Sequence, residues 1–177
     1  MPRLFVALAV PDGLAPHLAL LQGGVPGATW QTREQLHLTL RFVGDVDGRD
    51  GAAIDDALAG IEAPAFELAP HGVGEFGGKH PHALWAGVRP NDALAHLQRK
   101  VETALRRAGI AADAQKFVPH ITLARLNHAS TGRVIDWLTD HALFTAAPFT
   151  VSGFILYSSV LTTDGSIYRA ERAYRLR

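Results

Sequence analysis

The 177-residue chain contains no cysteine, which excludes disulfides, thiolate nucleophiles and cysteine-held metals and fits a reducing compartment. Net charge is missing as well: 17 basic and 17 acidic side chains cancel. The chain therefore lacks the global electrostatic footprint by which proteins hold long duplexes, and any contact with nucleic acid must be local. Long apolar runs are also absent. The stretch from Leu4 to Val10 stops at Pro11-Asp12-Gly13, too soon for a secretory leader or a membrane span, so the expectation is a soluble cytoplasmic protein that does not engage a membrane. Neither a glycine-rich phosphate loop before a helix nor a Gly-x-Ser-x-Gly elbow is present, which removes the sequence signatures of two common catalytic designs.

What the chain does have is a repeated pattern. His37-Leu38-Thr39-Leu40 returns as His120-Ile121-Thr122-Leu123. Composition alone predicts about 0.56 His-x-Thr triplets, and about 0.12 tetrads with apolar residues at the other two positions, so a pair of them is a signal. In a strand this spacing sets each His and Thr on one face and the apolar residues on the other. Two imidazoles and two hydroxyls can then line one cleft.

The surrounding pattern places both motifs on strands. Leu4 to Val10 reads as a buried strand, followed by a helix opened by Pro11 and running to about Gln22. A strand from Leu36 to Val43 carries the first motif; Asp50 caps a helix to Ala59; Ala65 to Val73 and Ala83 to Val88 read as a hairpin around residues 74–81. The clearest helix runs from Asn91-Asp92 to Gly109, with Leu94, Leu97, Val101, Ala104, Leu105 and Ala108 on one stripe and Arg99, Lys100, Arg106 and Arg107 on a solvated face. Phe117-Val118-Pro119 leads into the second motif strand, ending near Leu126. A helix from Thr131 to His141 and two strands, Phe149 to Val160 and Ile167 to Leu176, complete the order. Strands and helices in this sequence suit an α+β fold with outer helices, and two similar halves with one motif each are the economical arrangement.

The chemistry follows from the residue types. Imidazole titrates near pH 6.5, so of two facing rings one can take a proton from water attacking a phosphorus or carbonyl centre while the other protonates the departing oxygen. Thr39 and Thr122 can donate hydrogen bonds to the oxygens that gather charge. Arg125 has the charge and reach for a phosphoryl group, but it stands five residues after His120, and only a bulge or the strand end brings an odd offset back to the same face. No metal site is expected: the motifs offer two His and no adjacent carboxylate, and His80-Pro81-His82, with Lys79, reads as part of a Gly/Pro-rich loop.

These residues resemble the two-histidine (2H) phosphoesterases, and within them the bacterial and archaeal RNA 2',3'-cyclic phosphodiesterases, historically called 2'-5' RNA ligases. The likeness includes Arg3-Leu4-Phe5-Val6-Ala7-Leu8, the run Leu36 to Gly44, Leu84-Trp85-Ala86-Gly87-Val88, Phe117 to Arg125, and Leu156-Tyr157-Ser158-Ser159 with Gly165 and Tyr168. The resemblance implies one 2H domain over residues 1–177, bilobal, with two pseudo-symmetric antiparallel-sheet lobes, outer helices and a central cleft. It implies hydrolysis of RNA 2',3'-cyclic phosphate ends to 2'-phosphates without metal or cofactor, with His37 as proton donor, His120 as proton acceptor, and Thr39, Thr122 and Arg125 as phosphate ligands.

In-line displacement at phosphorus agrees with acid and base approaching from opposite lobes. The expected partner is an RNA terminus or a small cyclic nucleotide, bound by a monomer with no obligate protein partner. Phe5, Trp30, Phe42 and Tyr157 are candidates for stacking on a terminal base. Three alternatives stay open: 2'-5' ligation at the same site, hydrolysis of another cyclic nucleotide, and a module that binds RNA ends without turnover.

Overall fold

The computed structural model describes residues 2–177. Its elements, in chain order, are β1 (Arg3–Ala9), α1 (Ala15–Ala19), β2 (Ala28–Trp30), β3 (His37–Asp45), α2 (Gly48–Ala59), β4 (Phe66–Leu68), β5 (Pro70–Phe76), β6 (Ala83–Val88), α3 (Asp92–Arg107), β7 (Ile121–Leu126), α4 (Thr131–Asp140), β8 (Phe149–Val151), β9 (Gly153–Thr162) and β10 (Gly165–Arg175). Eight strands form an antiparallel sheet ordered β10-β9-β1-β3-β7-β6-β5, with β2 also paired to β7, and β4 and β8 form a separate two-stranded ribbon. The α+β class holds, and the two expected lobes are the two halves of this one sheet.

The halves meet at the motif strands. β3 and β7 pair at a single position, Leu38 opposite Ile121. Beyond it β2 takes over the same edge of β7, with Trp30 opposite Ala124 and Ala28 opposite Leu126. The motif strands therefore touch at the histidine end and part beyond it. On the helix side, Leu4, Val6 and Leu8 of β1, Leu38 and Leu40 of β3, Ile121 and Leu123 of β7 and Leu84 of β6 merge with the buried stripes of α2, α3 and α4 into one core.

Local chemistry explains most of the boundaries. Asn91 caps α3 by accepting from the Leu94 N–H at 2.9 Å, and Arg106 and Arg107 close its last turn. The expected start of α2 at Asp50 moves three residues earlier, because Asp47 is the cap and accepts from the Asp50 N–H. α1 is far shorter than Pro11 to Gln22: Pro16 has no N–H to continue a helix begun upstream and is accommodated only in the first turn. The expected strand from Ala65 to Val73 splits at Ala69, where the chain leaves β8 and joins β6.

Each motif strand carries a bulge at the same offset. In β3, Val6 stands opposite Arg41 and Ala7 opposite Thr39, so Leu40 is the extra residue. In β7, Leu84 stands opposite Ala124 and Trp85 opposite Thr122, so Leu123 is the extra residue. Both extra residues lie three positions after a histidine, and each reverses the alternation that follows.

In β3 the reversal sends Arg41 to the helix side, where it is 6% exposed. Its Nε donates to Glu102 Oε2 of α3 at 2.5 Å, and its terminal nitrogens donate to the carbonyls of Phe42 and Ala111. One guanidinium thus fixes the bulge, α3 and the segment after α3 together. Removing one member of a buried pair leaves the other desolvated and unmatched. Arg41→Ala is expected to lose about 3 kcal/mol in urea unfolding, and the double replacement Arg41→Met with Glu102→Leu to lose less, because no charge is then stranded.

Candidate active site

Both histidines enter the sheet in the same way. His37 opens β3 directly after a 3-10 turn, Arg33–Gln35, and its Nδ1 lies 2.7 Å from the Gln35 carbonyl oxygen. His120 precedes β7, and its Nδ1 lies 2.7 Å from the Val118 carbonyl oxygen. A carbonyl only accepts, so each Nδ1 carries the proton and donates it two residues back, which leaves each Nε2 free for chemistry. The Gln35 side chain is itself held, accepting from the Thr32 N–H and donating to the Ser166 carbonyl of β10.

Extending the antiparallel register one step either way from Leu38 and Ile121 sets His37 opposite Thr122 and Thr39 opposite His120. All four side chains share the face away from the helices. The bulge in β7 then returns Arg125 to that face, meeting the condition that its odd offset imposes. Its positive charge acts on both imidazoles. The site therefore joins two Nδ1-anchored imidazoles, two hydroxyls and one exposed guanidinium.

Aromatic rings set the environment of each histidine. His37 packs on Phe5, ring centroids 4.9 Å apart, with Tyr168 edge-on at 5.1 Å and Tyr157 at 6.2 Å. His120 meets Phe76 edge-on at 4.8 Å and Trp85 at 6.1 Å. Trp85 in turn lies across Gly74, where a Cβ would come within 2.1 Å of its ring. Burial is the main cause that pushes the His37 pKa down to about 4, with smaller contributions from His120 and Arg125. Burial also lowers the His120 pKa, with Arg125 adding to the effect. Both rings are neutral near pH 7 in the free protein.

The stacking candidates separate. Phe5 is 2% exposed and serves as a floor under His37 and Tyr157. Tyr157 is half-buried beside it, and Phe42 is exposed on the same face. Trp30 does not reach the site: paired with Ala124, it packs against Trp137 at 6.3 Å on the core side. Phe76, Trp85 and Tyr168 complete the aromatic surround. Phe76 is hidden from sequence because it ends a glycine-rich strand that reads as loop; the available signal is an aromatic, Trp85, set opposite a glycine across the hairpin. Among the described residues no three His, Asp or Glu side chains gather as a metal site.

Comparison with known proteins finds relatives of this chain. The pattern of the 2'-5' RNA ligase superfamily matches residues 10–162. A Thermotoga maritima protein named RNA 2',3'-cyclic phosphodiesterase is 34% identical over 177 residues, covering 94% of this chain and 91% of its own. One of the same name from Archaeoglobus fulgidus is 31% identical, covering 97% and 99%. Among solved structures, Escherichia coli LigT in complex with 3'-AMP superposes with a TM-score of 0.81 at 24% identity, covering 99% of each chain, which shows a shared fold.

The His37 shift has a consequence for stability. Its folded pKa of about 4 lies below the ordinary 6.5, so the unfolded chain holds a proton that the folded chain does not. The corresponding stability is whole above pH 6.5 and is lost as pH falls toward 4. Urea unfolding at about pH 7 and about pH 4 is expected to show wild type losing about 2 kcal/mol more than His37→Gln, the full shift being discounted for the solvent-facing edge of the ring.

Proposed function

The chain belongs to the 2'-5' RNA ligase superfamily, and from that premise we propose that it hydrolyses RNA ends bearing a 2',3'-cyclic phosphate to 2'-phosphates, with its own imidazoles as acid and base. The observation that carries this reading is the pair of Nδ1-anchored histidines on adjoining antiparallel strands, with Arg125 turned toward them by a bulge. Relatives named RNA 2',3'-cyclic phosphodiesterase, matched over nearly the whole chain, support it.

His120 Nε2 takes a proton from water as the water oxygen attacks phosphorus. The bond from phosphorus to O3' breaks, and His37 Nε2–H protonates that oxygen as it leaves. Arg125, Thr39 and Thr122 donate to the non-bridging oxygens, which gain charge along the path. The free site holds two neutral rings and a guanidinium, so a bound phosphodiester anion reverses the local potential and favours imidazolium. His37 thus takes up its second proton from solvent as the substrate binds. Each proposed step uses residues of one chain, so the chemistry needs no second subunit. The cytoplasm, where RNA ends arise, is its place of action, and no helix among the described residues is long and apolar enough to cross a membrane.

His37→Ala and His120→Ala are each expected to reduce kcat by at least about a hundredfold on a cyclic-phosphate-ended oligonucleotide while leaving the fold intact. Chelator should leave activity unchanged. The pH dependence of kcat/KM, which reports the free enzyme, should be a bell with its optimum below pH 6.5, because both imidazoles lie below that value. The bell for kcat should move upward, because bound phosphate favours the charged ring. Retained binding without hydrolysis in the wild type would overturn the reading in favour of an end-binding module.

A further inference from the structure

The two histidines are anchored alike, but the residues that supply the anchoring carbonyls differ. His120 donates to the carbonyl of Val118, a residue 40% exposed and without a polar side chain. His37 donates to the carbonyl of Gln35, whose amide is engaged at both ends. Its Oε1 accepts from the Thr32 N–H and its Nε2 donates to the Ser166 carbonyl, each at 2.9 Å.

The second of these bonds spans 131 residues of sequence and reaches the turn end of the β9–β10 hairpin. β1 pairs with β9 no further than Ser159, so residues 161–167 project past the sheet. Burial does not hold them, since Leu161 is 79% exposed and Ile167 58%. Among the described residues, the Gln35 amide makes the one hydrogen bond that joins residues 161–167 to the chain outside their own hairpin. Two positions beyond Ser166, Tyr168 meets both His37 and Phe5 edge-on at 5.1 Å.

We propose that Gln35 is the positioning residue of the acid: its amide ties the carbonyl that orients His37 to the hairpin that packs Tyr168 on the same ring. This rests on the phosphodiesterase reading above, in which His37 Nε2–H protonates the departing oxygen. That step needs one tautomer and one tilt of the ring. The carbonyl alone secures neither. It stands at the end of a 3-10 turn of three residues, a form whose internal hydrogen bonds are poorly aligned, and a ring held by a single bond can still tip. The Tyr168 edge supplies the second restraint, and Gln35 links the two so that neither moves alone. The base needs less, because water comes to it, whereas the acid must meet a sugar oxygen whose place the substrate fixes.

The test reads the ring directly. Long-range proton–nitrogen NMR of wild type near neutral pH should show both His37 and His120 as Nδ1–H tautomers, with a nuclear Overhauser contact between the Tyr168 and His37 rings. Gln35→Met, which keeps the length and removes both amide bonds, should give a mixture of His37 tautomers, weaken the Tyr168 contact and leave His120 unchanged. On a cyclic-phosphate-ended oligonucleotide its kcat should fall at least about tenfold with KM within about twofold, as for a loss felt only in the transition state. Gln35→Glu keeps the acceptor for Thr32, and so the turn, but sets an oxygen against the Ser166 carbonyl; it should lose the Tyr168 contact too, and it carries the same readouts should Gln35→Met not fold. Combining Gln35→Met with Tyr168→Leu should be no more than about twofold slower than the worse single variant, because both release one restraint. A single His37 tautomer with an intact Tyr168 contact in the Gln35 variants overturns the proposal and leaves the phosphodiesterase reading standing, as do losses that multiply in the double variant. Equal changes at His37 and His120 would mark a general loosening of the fold and also overturn it. Failure of wild type to open the cyclic phosphate at all would overturn the underlying reading instead.

Discussion

Side chains along a strand alternate between faces, and in this sheet one extra residue after each motif resets that alternation. Leu40 and Leu123 are those residues, with a second extra residue in β3, Val43, beyond Phe42, and the make-up of the site follows from where the first two stand. Before them, His37, Thr39, His120 and Thr122 face the open side and Leu38 and Ile121 face the helices. After them, Arg41, which plain alternation would place beside the histidines, goes to the core, while Arg125, which plain alternation would bury, comes to the site. Without the bulge in β3 the site would hold two arginines and Glu102 would have no guanidinium partner. Without the bulge in β7 it would hold none.

The same device explains why Arg41 is tolerated in the interior. A buried guanidinium is costly unless its donors are matched, and here they meet one carboxylate and two carbonyls. The residue that holds the bulge in place is the residue the bulge creates a need for. Fold and site are coupled at this point: a change on the helix side that loosens Arg41 also releases the strand that sets the position of His37 and Phe42.

The most informative part of the sequence was the period-two pattern. The tandem motif and its strands, the shared face, the α+β class and the long amphipathic helix could all be read from spacing, because burial enforces those periods directly. Arg125 was legible conditionally, since an odd offset states that a bulge is required without saying that one exists. Features decided by pairing between distant segments could not be read. The division of residues 65–73 between two sheets, and the packing of Trp30 against the core, depend on which strand β4 and β2 find as partners. Phe76 and Tyr168 reach the histidines through hairpins whose register no local pattern states. The cap at Asp47 in place of Asp50 is a smaller case, in which two carboxylates compete and backbone geometry selects one.

The pseudo-twofold arrangement is also electrically uneven, and the unevenness matches the two proposed roles. Phe5, Tyr157 and Tyr168 surround His37, whereas His120 meets Phe76 and Trp85 and lies nearer solvent, so the pKa of His37 is depressed the more strongly. A lower pKa makes a stronger acid once protonated, and a ring less depressed keeps more basicity. Departure of a sugar oxygen needs the stronger donor, and activation of water needs the better base. In the proposed mechanism the first demand falls on His37 and the second on His120. His37 is rarely protonated in the empty site, and in the proposed mechanism the bound substrate anion draws a proton onto it from solvent. The burial of His37 among aromatic rings is the asymmetry on which the proposed assignment of acid and base draws.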